Sequence, residues 1–258
     1  MTRPSPAGDI DVLFDDDTLR IACRRAPGDT DLAVVAFAGV QGAFGGIPVE
    51  EFASSLGRAT TPHDAYFVID KTQGWYNQTS ANIDAVLRGQ LARRRIVTLG
   101  NSMGGFGALL FGDRLGAFAT LAICPQYSIV GALVPFETRW RDFATAIPVI
   151  RHTTCLPEPR SETVRRLVLA GGGHNADMAH ARLIHGCMGA RDGIFALPHG
   201  HDLAQVLKRH GALSPLLEAV LRPEADHAAV ADVLDAAGLD YDFWDAPWKG
   251  PGDASGAG

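Results

Sequence analysis

Six short apolar runs alternate with stretches of helical periodicity along this chain, and most stop at a glycine or an aspartate. Leu32–Ala38 ends at Gly39, Ala65–Ile69 at Asp70, and Arg95–Leu99 at Gly100. Phe118–Ile123 follows, then Leu167–Ala170, which runs into Gly171-Gly172-Gly173, and finally Gly193–Leu197. Runs without a polar face suit strands covered by helices on both sides, as in a parallel sheet. The residues between them supply the helices. Ser80–Arg94 opens on a serine cap and places Ile83, Val86, Leu87 and Leu91 on one face. Similar patterns cover 103–114, 176–188, 202–210, 214–221 and 225–237. Ahead of them, Asp9–Phe14 and Leu19–Arg24 flank the turn-forming Asp15-Asp16-Asp17 and read as a hairpin. The expected fold is α/β: a doubly wound, mostly parallel sheet with helices on both faces.

Residues 9–248 are expected to form a single domain. Residues 1–8 and 249–258 have little to bury and read as loose ends. Residues 125–164, rich in proline and aromatics, interrupt the strand–helix rhythm and are expected to form a lid. With 47% hydrophobic residues the chain builds a sizeable core. Its 29 acidic and 23 basic residues leave a formal charge of −6, which argues against a broad nucleic-acid surface. No stretch reaches the roughly 18 apolar residues of a membrane span. Met1–Pro6 lacks the apolar core of a signal peptide, so a cytoplasmic location is expected. Cys23, Cys124, Cys155 and Cys187 form no CxxC pair, and they read as buried thiols rather than disulfides or a zinc knuckle. Neither a metal nor a cofactor is expected.

The most informative segment is Gly100-Asn101-Ser102-Met103-Gly104. It has the pattern Gly-x-Ser-x-Gly, directly after a strand and directly before a helix. A serine on such a turn has strained backbone angles and is lifted out at the carboxyl edge of the sheet. The flanking glycines leave room for neighbouring chain, and the following helix aims free N–H groups and its positive end at the same point. Gly105, Gly107 and Ala108 suit tight packing of that helix. A phosphate-binding loop is the competing reading, but the segment lacks a Gly-Lys-Ser/Thr ending and a dinucleotide fingerprint.

The strand, Gly-Asn-Ser-Met-Gly-Gly and helix resemble the nucleophile elbow of the α/β-hydrolase superfamily. The resemblance extends from Leu32 to Leu207 as an order of strands and loops. Phe37–Val40 through Trp75-Tyr76-Asn77 resembles bacterial hydrolases found with surface-polysaccharide and glycan pathways. What the resemblance implies is a serine esterase with a Ser-His-Asp triad and the order nucleophile, acid, base. Ser102 takes the first place. In the loop after Leu167–Ala170, Asp177 is the only carboxylate, with an N-cap as its alternative role and Asp192 and Asp202 as fallback acids. After Gly193–Leu197, His201 in Gly200-His201 matches the superfamily's histidine loop, with His199 as runner-up. The oxyanion donors are the N–H groups of Met103 and of Val40, with Gly39 and Gln41 as neighbours in Gly39-Val40-Gln41-Gly42. Ala43, Gly45 and Gly46 extend that small-residue loop.

Trp75 and Tyr76, and Asn77 beside them, follow a strand end and are expected to line the pocket, where aromatic faces suit sugar rings or acyl chains. Phe136–Arg141 carries two arginines and reads as a solvated helix face or as a site for an anionic substrate. The expected partner is a small-molecule or glycan ester. Two further readings stand beside hydrolysis: acyl transfer to an alcohol on the same machinery, and a catalytically silent scaffold that binds a partner in a glycan or export pathway.

Overall fold

In a computed structural model of the chain, the residues described are 10–40, 50–156, 158–224 and 226–245. Among the described residues nine strands form one sheet: β1 (Asp11–Asp15), β2 (Leu19–Arg24), β3 (Leu32–Phe37), β4 (Asp64–Asp70), β5 (Arg95–Asn101), β6 (Ala119–Ile123), β7 (Arg165–Gly171), β8 (Gly193–Leu197) and β9 (Asp242–Trp244). Their order across the sheet is β1-β2-β4-β3-β5-β6-β7-β8-β9. The core from β4 to β8 is parallel. Both edges are antiparallel, through β1–β2–β4 on one side and β8–β9 on the other.

Eight helices are described: α1 (Ala53–Leu56), α2 (Ser80–Gln90), α3 (Met103–Leu115), α4 (Arg141–Ala146), α5 (Asn175–His185), α6 (Leu203–Arg209), α7 (Leu213–Val220) and α8 (His227–Ala236). Alternate residues of the six parallel strands, β3 to β8, feed two cores. Ala33, Val35 and Phe37 of β3 face a cluster built with α2, α3 and α5. Leu32, Val34 and Ala36 face a second cluster built with α1, α6, α7 and α8. This is why every residue of β3 is buried and why its sequence shows no polar face. Among the described residues, no helix is long and apolar enough to cross a membrane.

The hairpin and the six apolar strands stand where the sequence placed them. Three elements lacked a legible signal. The four-residue α1 and the six-residue α4 are too short for a periodic stripe. The three-residue β9 extends the sheet beyond Gly193–Leu197 because Phe243 packs on Phe195 with ring centroids 4.7 Å apart. Helix α2 ends at Gln90 rather than Arg94. Arg93 turns into the left-handed region, and Arg94 instead binds Asp64 and the carbonyls of Thr30 and Leu32. Residues 1–8 and 249–258, expected to be loose, lie outside the described residues, as do Gln41, Gly42, Ala43, Gly45 and Gly46.

Candidate active site

The chain leaves β3 for β4 on one side and returns to β5 on the other. The carboxyl ends of β3 and β5 therefore open onto a crevice at a topological switch point, where open α/β sheets bind ligands. Gly39 and Val40 leave β3 there, and Ser102 leaves β5. All three line a cavity of about 660 Å³, together with Trp140 and His201.

Ser102 has φ 56° and ψ −121°, a left-handed strained conformation held between β5 and the start of α3. Its N–H is tied to the Ile123 carbonyl at 2.8 Å. The flanking glycines are sterically required. A Cβ on Gly100 would lie 1.9 Å from the Gly104 carbonyl oxygen, and one on Gly104 would lie 2.0 Å from that of Phe37. The Met103 N–H opens α3, where first-turn donors have no intrahelical partner.

The loops that follow β7 and β8 meet at the neighbouring strand ends. Gly172 N–H donates to the Leu197 carbonyl at 2.6 Å, and Gly173 N–H to that of His199 at 2.9 Å. A Cβ on Gly171 or Gly172 would come within 2.7 Å of backbone in the other loop. The three-glycine run is thus a close approach of two loops. Helix α5 starts at Asn175, capped by His174, so Asp177 sits in its first turn and is not its N-cap. Its Oδ2 stands 2.9 Å from His201 Nδ1, and His201 Nε2 stands 2.9 Å from Ser102 Oγ.

Hydrogen positions along this chain follow from a tryptophan. Trp75 Nε1–H can only donate, and it meets Gln126 Oε1 at 3.1 Å. Gln126 Nε2 is thereby turned toward Ser102 Oγ, to which it donates at 3.2 Å. The serine oxygen accepts from Gln126, which leaves its own proton directed at His201 Nε2. His201 Nδ1–H then donates to Asp177. Burial pushes the Asp177 carboxyl up, but the His201 hydrogen bond and the Arg139 charge outweigh it and hold the group below the usual carboxylate range.

Trp75 and Tyr76 do not line the cavity, which corrects the expectation from their place after a strand. Both are 0% exposed. The Asp70 carboxylate accepts the N–H groups of Thr72, Gly74 and Tyr76, and this turns Trp75 and Tyr76 inward with positive φ. From below they brace the site. Tyr76 OH donates to the Ala38 carbonyl at 2.6 Å, fixing the exit of β3. Asn77 Oδ1 accepts the N–H groups of Arg151 and His152 at 2.7 and 2.8 Å.

The alternatives weighed for the triad lie elsewhere. His199 packs toward His210, with ring centroids 6.4 Å apart. Asp192 is buried against Arg166 and the Gly189 N–H. Asp202 is exposed at the cavity rim and pairs with Arg209 at 3.5 Å.

Among the site residues, Gln126 and Glu51 carried no sign of their own in the sequence, while Arg139 and Trp140 stood in the Phe136–Arg141 segment without a feature that singled them out. The Trp140 ring lies 6.3 Å from His201 and 6.1 Å from Trp75, centroid to centroid. Arg139 Nη2 lies 2.9 Å from Asp177 Oδ1, so the expected solvated arginine face is in part an ion pair with Asp177. Glu51 lines the cavity beside Gly39. Burial pushes its carboxyl up to about 7, against a hydrogen bond from the Gly39 N–H. Val40, next to Gly39, also lines the cavity.

Glu51 makes stability depend on pH. Between the ordinary glutamate range and about 7, the folded chain holds a proton that the unfolded chain releases, so stability falls as pH rises through that window. Glu51→Gln has no such titration. Relative to wild type it is expected to gain roughly 2–3 kcal/mol on going from pH 5 to pH 8, read from thermal unfolding. A difference in Tm between the two proteins that is the same at both pH values would refute this.

Cys124 Sγ lies within 4.8 Å of the Asp177 carboxylate and the His201 ring, a grouping with the donor types of a metal site. Burial raises the Cys124 thiol far above its usual value, which keeps it neutral and a poor ligand. Both His201 nitrogens already have protein partners.

No family model matches the chain, and no curated protein matches it in sequence. Solved structures do match. A Staphylococcus aureus protein assigned as an esterase aligns with TM-score 0.57 and 15% identity, over 85% of this chain and 86% of that one. The capsule O-acetyltransferase of Neisseria meningitidis serogroup A, in a complex with CoA, aligns with TM-score 0.54 and 11% identity, over 81% and 94%. A fluorophosphonate-binding serine hydrolase of Staphylococcus aureus aligns with TM-score 0.52 and 12% identity, over 78% and 95%. The mostly parallel sheet with helices on both faces agrees with these neighbours, and the chain has the α/β-hydrolase fold.

Proposed function

We propose that this protein is a serine ester hydrolase that works through an acyl-enzyme on Ser102. The observation that carries the reading is the hydrogen-bond chain Ser102 Oγ–His201 Nε2 and His201 Nδ1–Asp177 Oδ2, both links at 2.9 Å. A serine hydroxyl is a weak nucleophile until a base takes its proton, and His201 is placed to take it. As Ser102 Oγ attacks the ester carbonyl, its proton passes to His201 Nε2. Asp177 stays ionised and stabilises the imidazolium. The tetrahedral oxyanion is met by the Met103 and Val40 N–H groups. His201 then protonates the departing alcohol, and water repeats the cycle on the acyl-serine. No cofactor or metal enters these steps.

Val40, Phe52, Ala53, Trp140, Ala204 and Leu213 make the walls apolar, while Glu50, Asp202 and Lys208 stand at the cavity as well. That combination suits a small ester with an apolar acyl group or a ring, such as an acylated sugar. Residues 125–164 act as a cap in this reading, supported by Gln126 against Ser102 Oγ and by Trp140 in the cavity wall.

A fluorophosphonate probe should label wild-type protein at Ser102, identified by peptide mass, and a panel of esters of rising chain length and of acetylated sugars should be hydrolysed with a chelator present. Absence of labelling would leave the silent-scaffold reading. Activity lost to the chelator and restored by zinc would move Cys124, Asp177 and His201 into a metal site. Product analysis with added sugar acceptors decides whether water or an alcohol is the second nucleophile.

A further inference from the structure

Asp177 is held from two sides. Its Oδ2 is committed to His201, and its Oδ1 faces Arg139 Nη2 at 2.9 Å as an ion pair that lacks the alignment of a hydrogen bond. The Arg139 fork is itself fixed. Nη2 meets Glu137 Oε2 at 2.5 Å, and Nε reaches Oε1 and Oε2 at 3.0 and 3.1 Å. Glu137 Oε2 also accepts from His180 Nε2 at 3.1 Å. The His180 tautomer follows from its other nitrogen, which takes the Tyr127 N–H at 3.1 Å and so leaves the proton on Nε2. Asp177 and His180 stand three residues apart on α5 and share a face. Glu137-Thr138-Arg139, from the segment between β6 and β7, therefore grips the face of α5 that carries the acid.

We propose that Arg139 is a positioning residue: it fixes the rotation of the Asp177 carboxylate and sets how tightly the Asp177–His201 pair holds a proton. The inference rests on the triad reading above. A guanidinium locked bidentately on Glu137 cannot follow a rotating carboxylate, so it selects one orientation of Asp177. That orientation leaves Oδ2 for His201.

The charge has a second consequence. Asp177 faces His201 from the loop after β8, Cys124 from the end of β6 and His174 from the N-cap of its own helix, the last at 3.7 Å. Arg139 is the one permanent cation paired with it among the described residues. Glu137 and, behind it, His180 complete the surroundings. An imidazolium gains from the carboxylate, and a cation on the far side of that carboxylate opposes the gain. Removing Arg139 lets the pair keep its proton to higher pH.

The test uses the full chain with p-nitrophenyl acetate as substrate, kcat and KM from pH 5 to 9, and fluorophosphonate labelling with Ser102→Ala as the control. Arg139→Met is expected to move the acid limb of kcat/KM up by roughly 0.5–1 pH unit and to lower kcat about tenfold, with KM within threefold. Arg139→Lys keeps the charge and loses the fork: the limb stays in place while kcat falls about threefold or more. An acid limb unmoved in the methionine variant overturns the electrostatic role. Wild-type kcat in the lysine variant overturns the positioning role, even where the methionine variant fails to fold. Should Ser102→Ala label and hydrolyse like wild type, the serine reading itself fails. The His201 ring resonances, titrated by NMR in wild type and Arg139→Lys and Arg139→Met, then decide this proposal separately, and an unchanged midpoint in every variant rejects it.

Discussion

Ser102→Ala is expected to cut ester hydrolysis by about 10⁶-fold while leaving the fold in place, and His201→Ala to cost nearly as much. The two losses are not expected to add. Once the serine hydroxyl is gone, His201 has no proton to take; once His201 is gone, the hydroxyl is a poor nucleophile. The double variant should therefore fall little below either single one. Any residual rate over water is expected to come from the proposed oxyanion donors and from binding. The 2.9 Å links between Ser102, His201 and Asp177 motivate this expectation. His199→Ala is the control, because His199 faces His210 rather than Ser102. The decisive measurement is kcat/KM for all four variants on one ester. Independent, additive losses, or a crippling His199→Ala with a mild His201→Ala, would break the assignment.

Gly104→Ala should destabilise the protein by about 3 kcal/mol or more and remove activity with it. The added methyl would stand 2.0 Å from the Phe37 carbonyl oxygen and 2.8 Å from its carbon. Both are backbone atoms of β3 in the middle of the sheet, so no side chain can swing aside. Relief requires α3 to move off β3, and Ser102 and the Met103 N–H sit at the end of that helix. Thermal and urea unfolding measure the loss. Wild-type stability in this variant would show that the elbow is far more compliant than its contacts indicate.

The sequence carried the sheet because its strands are long enough to show their burial. Leu32–Phe37 and Arg165–Gly171 are buried at every position, and such runs cannot be amphipathic. Ser102 was legible for a related reason. A left-handed serine between two glycines that abut backbone leaves few other sequences for that turn. His201 and Asp177 were readable only as candidates among neighbours, since their pairing joins loops from two different strands.

Other features were set by contacts between segments far apart in the chain. Trp75 looked like a pocket residue, yet the Asp70 carboxylate folds its loop inward, and the indole ends beneath the site against Gln126. Arg139 looked solvated, yet it lies against α5, nearly forty residues further on. For Glu51 the tertiary contact is burial beside Gly39, which raises its carboxyl to about 7. Local pattern thus determined which segments become strands and helices, and where a strained serine turn must fall, because those depend on periodicity and sterics within a few residues. Which polar groups face Ser102, and which charge stands behind Asp177, was decided by the tertiary structure alone, because hydrogen bonds and ion pairs act over about 3 Å of space whatever the separation along the chain.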